Sequence, residues 1–577
     1  MLFSITARVR HFQQLHNKQG RLPVKFISFG LIFFFVACLL IGVMATFLFL
    51  NYQRNSKPPL KKNRPVPIHW GVSSGHPLAT KAGMEILEQG GNAMDAAVAV
   101  AYTLSVVEPY ACGLGGGGEI LVYRQRDRKI RVIDYRENAP SKIDAVQRSG
   151  SVTGIPGFTA GMESLLRQYG TLSRPMLMKR AVEYAQKGFP IHRTLADLLL
   201  QYNGSKLAPF KTPDFYRNGR PLRKGDILRQ PLLARKLQDI MNRGNQAFYN
   251  EALIQDLKRS RNPAGAGFTL EDLRDYRIRK IAPVKGRFCG YDVYAPPPPG
   301  GGMTLLEMLR LAEISGATHP FLADEKRALL LFQGMAIAYA DRKKYLGDPY
   351  FGAEVPVWLN QTEYLRKQWR AFDHRFTIPA NDEEHSTTHF VVADAQGNWV
   401  SCTQTLGDFF GSGLMHDGYF FNNSLNKFST DLNSPNRMVP GKRPFSYMSP
   451  ALLFKAGRPF LGLGTPGGRR IPAILTQMLI HHLKDGVPLQ AAIDMPRYFI
   501  NPGRSLFFEK LPPGNVMANF RKNGFRAVNT ANFVYFGAIQ ALEIDPESGR
   551  LSGAADFRRG GSFSCRNLNR DAEPPAR

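Results

Sequence analysis

Residues 387–406 read TTHFVVADAQGNWVSCTQTL. The runs Thr387–Ala393 and Trp399–Leu406 are rich in β-branched and aromatic residues, as strands are. A three-residue loop between them, Ala395-Gln396-Gly397 with Gly397 in the left-handed conformation, fits a hairpin. Residue numbers paired across such a loop sum to 792, so Thr387 faces Thr405, unless a bulge shifts the register by one. Cross-strand Thr–Thr pairs are also ordinary sheet neighbours, and this pair taken on its own fits that role better.

The preceding stretch gives the pair a sharper meaning. Ala371–Ser386 (AFDHRFTIPANDEEHS) is polar and aperiodic, as an exposed, cleavable segment is. A break before Thr387 would create an α-amine of pKa ~7.7–8.0. That amine is a base tethered to its own nucleophile, the Thr387 hydroxyl, with Thr405 placed to orient it. His389, two residues along the same strand face, reads as structural. Further on, Phe460–Leu463 reads as a strand entering Gly464-Thr465-Pro466-Gly467-Gly468, with a helix from about Ile471. Adjacent glycines at a helix start can present two N–H groups to a developing oxyanion, although a tight strand-to-helix turn has the same pattern.

Upstream, a helix is expected over about Leu78–Gln89, ending at Gly90-Gly91. Asn92 with Asp95 three residues on can cap a second, Ala/Val-rich helix that runs to Glu108-Pro109 and is buried nearly all round. The section from about Gly157 to Tyr276 is mostly helical, with a capped start in FTLEDLRDY; Tyr291–Gly302 is a strand ending in a rigid loop, and a helix follows from Met303. Gly71-Val72-Ser73-Ser74-Gly75 fits the G-x-S-x-G nucleophile elbow but follows a Pro-rich tether. Gly113, Gly115 and Gly118 fit G-x-G-x-x-G but follow a helix, and read better as close backbone packing.

Phe26–Leu50 (FISFGLIFFFVACLLIGVMATFLFL) holds 25 residues without a charge. That is longer than the ~20 needed to span a bilayer, and too long for a signal-peptide core. It reads as an uncleaved anchor between a basic tail (residues 1–25) and a Pro-containing tether (residues 51–66). Five basic residues lie on each side of the anchor, so the positive-inside rule does not choose its orientation. The 577 residues carry a formal charge of +29, and 44% are hydrophobic, which excludes a wholly disordered chain. No nucleic-acid recognition motif accompanies the charge, so a basic surface beside an anionic membrane is the simpler reading. Five cysteines without a CxxC pair make neither a disulfide scaffold nor a zinc site.

TTHFVVADAQGNWVSCTQTLGDFFGSG, followed by GKRPFSYMSP and LGTPGG, resembles the small subunit of the γ-glutamyltransferase (glutathione hydrolase) family of N-terminal-nucleophile hydrolases. The resemblance continues upstream through GHPLATKAGMEILEQGGNAMDAAVAVAYTLSVVEP, CGLGGGG, YRENAP, GIPG, APPPPGGG and YADRKKYLGDP, and ends in GRLSGAADFRRGG. It spans about Val66 to Gly561, in the family's order. It implies an α/β (α+β) fold, a four-layer αββα sandwich, here preceded by one transmembrane helix. It also implies a precursor cut between Ser386 and Thr387 into a large part (67–386) and a small part (387–577) that stay together as a heterodimer. Thr387 would be the nucleophile and Thr405 its partner, with Gly467 and Gly468 as the oxyanion hole. Arg136 and Ser446 would hold the α-carboxylate of a γ-glutamyl group. The acyl-enzyme would pass to water or an amino acid, with no metal or organic cofactor, and the catalytic part would stand outside the cytoplasm.

The departures fall on substrate recognition. Gly407 stands where the family has Asn, and Tyr447 where it has a second Ser. In Asn422-Asn423-Ser424-Leu425-Asn426-Lys427-Phe428, Ser424 and Lys427 occupy positions of the family's N-N-x-x-D-D-F segment, with Lys427 at its second acid. A lysine aimed into the pocket would repel a substrate ammonium, a change of several kcal/mol at ~4 Å and an effective dielectric near 20, less after solvent screening. An acylase for a carboxylate-bearing acyl group without an α-amine, of glutaryl type, is therefore the alternative expectation. A family member that serves as a structural partner is another.

Overall fold

The computed structural model describes residues 44, 68–208, 210–259, 267–320, 324–352, 354–372, 386–501, 505–522, 524–530 and 533–568. The expected anchor, apart from Met44, and the tether lie outside them, as do residues 373–385 of the expected cleavable stretch. Among the described residues no helix is long and apolar enough to cross a membrane. The chain divides into two units, Met1–Val66 and Pro67–Arg577, and the second carries the fold.

Thirteen strands build two antiparallel sheets. In chain order they are β1 (Ile68–Ser74), β2 (Gly117–Arg124), β3 (Lys129–Asp134), β4 (Arg279–Ile281), β5 (Val284–Phe288), β6 (Tyr291–Ala295) and β7 (Ser386–Ala393). Then come β8 (Trp399–Gly407), β9 (Ala451–Lys455), β10 (Arg458–Gly464), β11 (Gln540–Ile544), β12 (Leu551–Ala555) and β13 (Ser562–Leu568). The first sheet has the order β13-β1-β7-β8-β2-β3-β4 and the second β12-β11-β10-β9-β6-β5. Alternation along β7 divides its side chains between two cores. Phe390 and Val392 join the helix-side core with α1 (Pro77–Glu88) and α2 (Ala93–Val107), whereas Val391 and Ala393 meet Leu452, Phe454 and Leu542 of the second sheet. The far face of that sheet packs on α3 (Gly302–Ser315), α4 (Asp324–Tyr345) and α5 (Ile471–Leu483). The layers are therefore helix, sheet, sheet, helix. Being central and covered on both faces, β7 is buried at every residue, and its second half, Phe390–Ala393, is an apolar run.

The hairpin forms as the loop length requires. His389 pairs with Thr403 and Ala393 with Trp399, and Gly397 has φ +85°. Between Ser386 and Thr388 the register shifts, because Ser386 pairs with Gly407; the anticipated bulge lies at Thr387. Asp394 secures the loop. Its carboxylate accepts from the N–H groups of Gln396 and Asn398, each at 2.9 Å, and from Ala93 N at 2.8 Å, the first residue of α2. Asn92 and Asp95 form the expected capping box on that helix, and all fifteen of its residues are buried.

The two short glycine motifs are structural, as read. Ser73 lies within β1, and its hydroxyl donates to Ala554 O at 2.8 Å and Gln540 Oε1 at 3.2 Å. A Cβ on Gly115 would lie 2.2 Å from Phe420 O, and one on Gly118 2.5 Å from Thr403 O, so the run keeps backbones in close contact. Asp394→Ala would leave buried N–H groups of the loop and of α2 unpaired at about 1–3 kcal/mol apiece. Chemical denaturation is expected to register a loss of about 2–4 kcal/mol.

Candidate active site

Thr387, the second residue of β7, lines a cleft of about 690 Å³. The bulge leaves its hydroxyl 3.1 Å from that of Thr405 across the hairpin. Both hydroxyls bond the carbonyl oxygen of Ser386, Thr405 at 2.5 Å, so the peptide bond expected to break has its oxygen between two donors. Ser386 is not exposed, contrary to the reading of the stretch it ends. As the first residue of β7 it is fully buried, and its hydroxyl donates to Tyr110 O at 2.5 Å. Arg559, in the segment GRLSGAADFRRGG, donates to Thr387 O at 3.2 Å and to Val534 O at 2.7 Å. Proximity in the fold singled out this arginine; nothing local in the sequence did.

His389 lies away from the chemistry. Its Nδ1 is 2.8 Å from Thr403 Oγ1, and a Cβ on Gly464 of β10 would fall 2.3 Å from its ring, so it packs between the sheets. Burial pushes the imidazole down to about 3, so it is neutral at pH 7. After β10 the chain turns through Thr465-Pro466-Gly467-Gly468, with Gly467 at φ +138° and Gly468 at φ +55°, into a short 3₁₀ turn and α5. Thr465 Oγ1 accepts from Ala538 N at 3.0 Å, which secures the loop. Gly468 lines the cleft with Thr387.

The expected substrate residues Arg136, Ser424, Lys427, Ser446 and Tyr447 all line the same cleft. Arg136 is buried and clamped from below: Asp134 accepts from its Nη2 at 2.8 Å, and Glu119 lies 3.1 Å from its Nε. Burial raises the Glu119 carboxyl to about 8. Burial opposes ionisation of Asp134 too, but Arg136 and Arg443 outweigh it and hold that carboxyl well below the usual range. Lys427 does not present an isolated charge, because Asp408 lies 3.3 Å from its Nζ. The repulsion expected of it is correspondingly reduced. Gly407 has φ +96°, and a Cβ there would lie 2.0 Å from Asn423 Oδ1, so this chain's loop excludes a side chain at that position.

Ser446 Oγ accepts from Met448 N at 3.2 Å. Tyr447 takes the space of a small hydroxyl residue and stacks on Arg342, whose Cζ is 4.2 Å from its ring centre. Arg342 in turn donates to Ser446 O at 2.6 Å and Gly300 O at 3.1 Å, tying the Pro-rich loop to the cleft wall. Sequence reasoning missed Arg342, Asp408 and Glu137, although YADRKKYLGDP, CTQTLGDFFGSG and YRENAP had drawn notice to their segments. Glu137 is buried on the cleft wall, its Oε1 has no hydrogen-bond partner, and Ser424 bonds the carboxylate. Burial raises it to about 7.

A four-layer αββα sandwich with two facing threonine hydroxyls at the head of its central hairpin is the architecture of the N-terminal-nucleophile hydrolases. The gamma-glutamyltranspeptidase family model matches residues 79–565, and the chain belongs to that family. The glutathione hydrolase proenzyme of Bacillus subtilis (strain 168) is 34% identical over 541 residues, covering 86% of this chain and 92% of that protein. The capsule biosynthesis protein CapD proenzyme of Bacillus anthracis is 36% identical over 494 residues, covering 86% and 90%. The crystal structure of cephalosporin acylase from Bacillus halodurans superposes with a TM-score of 0.78 at 28% identity, covering 88% of this chain and 98% of that one. The protein is an enzyme of the amidohydrolase type.

The folded pKa of His389 lies below its unfolded value near 6.5, so its share of stability is complete above pH 6.5 and declines as pH falls toward 3. Between pH 7 and pH 5 this amounts to about 2 kcal/mol. Denaturant titrations at the two pH values are expected to differ by about that much less in His389→Gln than in the wild type.

Proposed function

We propose that the chain is a self-cleaving γ-glutamyltransferase or glutathione hydrolase-like enzyme whose nucleophile is Thr387. The observation that carries this reading is the approach of Thr387 Oγ1 to Thr405 Oγ1, at 3.1 Å beneath a cleft that also holds Arg136 and Ser446. In the precursor, Thr387 Oγ attacks the Ser386 carbonyl carbon, and Thr405 donates to the oxygen as it gains charge. The C–N bond breaks as the ester forms, and the freed Thr387 amine takes the proton that the hydroxyl gave up; water then hydrolyses the ester, releasing the Ser386 carboxylate and restoring the Thr387 hydroxyl.

In turnover that amine takes the hydroxyl proton as Oγ attacks the γ-carbonyl of a γ-glutamyl amide. The N–H groups of Gly467 and Gly468 receive the oxyanion, and the leaving amine departs with a proton. Arg136 and Ser446 hold the donor's α-carboxylate. Water or the amine of an amino acid resolves the ester. On this reading residues 67–386 and 387–577 become the large and small chains of a heterodimer. Residues 26–50 anchor it to a membrane, between tail 1–25 and tether 51–66, with the catalytic part outside the cytoplasm. The uncharged run and the juxtamembrane basic residues support that placement.

The acylase reading for a glutaryl-type group keeps two specific supports. Lys427 lines the cleft where the family has an acid, and the superposed Bacillus halodurans structure is described as a cephalosporin acylase.

Intact mass and N-terminal sequencing of the full chain test the main reading: two chains in the wild type, one beginning at Thr387, and a single chain in Thr387→Ala. A single uncut chain in both would overturn it. Thr405→Val, which keeps the shape and removes the hydroxyl, is expected to slow self-cleavage by about 10²–10³-fold, read by following the precursor band with time.

A further inference from the structure

An α-amino acid head group needs a cation and an anion a few ångströms apart, one for its carboxylate and one for its ammonium. The segment in which the family carries its ammonium-facing acid ends here in Lys427, which is paired with Asp408. Another pair in the cleft has a different arrangement. Arg136 and Glu137 are consecutive, both are buried, and both line the cleft. Arg136 is fixed by Asp134 and Glu119. One oxygen of Glu137, Oε1, is enclosed and has no hydrogen-bond partner, while Ser424 bonds the carboxylate. Burying a carboxylate oxygen without a donor is costly, and the cost falls when a ligand supplies one.

We propose that Glu137, supported by Ser424, receives the α-ammonium of the acyl donor beside Arg136, and so selects donors that carry an amine over those that do not. This rests on the γ-glutamyl reading above and names the residue that makes the selection. Burial, and to a lesser degree Asp134, keep Glu137 from ionising easily, while Ser424 and Arg136 favour the charge. An incoming ammonium adds to the effect of Arg136 and draws the carboxyl to its charged form on binding. Asp408, 3.3 Å from Lys427 Nζ, reduces the repulsion that Lys427 exerts on a cation bound in the cleft.

The test uses the full chain in detergent, with the cut at Thr387 checked by N-terminal sequencing. It compares γ-glutamyl-p-nitroanilide with glutaryl-p-nitroanilide, which differ only in the α-amine. In Glu137→Gln the ratio of the γ-glutamyl KM to the glutaryl KM is expected to rise about 10- to 100-fold over the wild type, as for the loss of one charge-assisted hydrogen bond. An unchanged ratio, with both donors affected alike, overturns the proposal alone and makes Glu137 a structural residue. Failure of a correctly cut wild type to turn over the γ-glutamyl compound overturns the proposal together with the reading it rests on. Should Glu137→Gln fail to fold or to cut itself, Ser424→Ala provides the same ratio, with a smaller rise in the same direction expected; no rise there overturns it equally.

Discussion

The register of one hairpin governs this molecule. Three residues between Asp394 and Asn398 set which residues of β7 and β8 face each other, and one step of slip would turn every side chain of β7 to the other sheet face. Asp394 prevents that slip by bonding the loop's own N–H groups and the first N–H of α2 at once. The hairpin is thereby tied to the helix layer as well as to itself. The bulge at Ser386–Thr388 then departs from the register at one point, and that point is where Thr387 meets Thr405.

The second sheet serves the same end from the other side. Gly462 and Gly464 lack side chains where Val391 and His389 approach, so β10 can lie close to β7 and deliver the Gly467-Gly468 turn at the cleft. A neutral, buried His389 fills the remaining space. Thr387, the proposed nucleophile, and the candidate oxyanion donors come from different sheets, and the packing between those sheets sets their separation. Long-range ties such as Arg559 to Thr387 and Arg342 to Ser446 then hold the cleft walls.

Charge in the cleft is arranged in pairs. Arg136 is held by two acids and Lys427 by Asp408. A sequence position that replaces an acid with a lysine therefore does not translate into a free positive charge, because the partner comes from a residue nineteen positions earlier on another element. The converse holds for Glu137, an unremarked acid in the sequence that the fold leaves with an unpartnered oxygen on the cleft wall.

What the sequence determined by itself is local. β-branched alternation and loop length set the hairpin, Asn92 and Asp95 set the cap of α2, and the Gly-rich segment after β10 marked the turn into α5. Each depends on residues within a few positions of one another, so each is legible in a short window. Motif order over 79–565 added the family. Tertiary structure alone decided which charged groups are neutralised, which polar atoms are left unpaired, and that Ser386 is buried in a strand although it ends a polar stretch. Those outcomes depend on distances between segments far apart in the chain and on the burial that packing imposes, and no local pattern of residues encodes either.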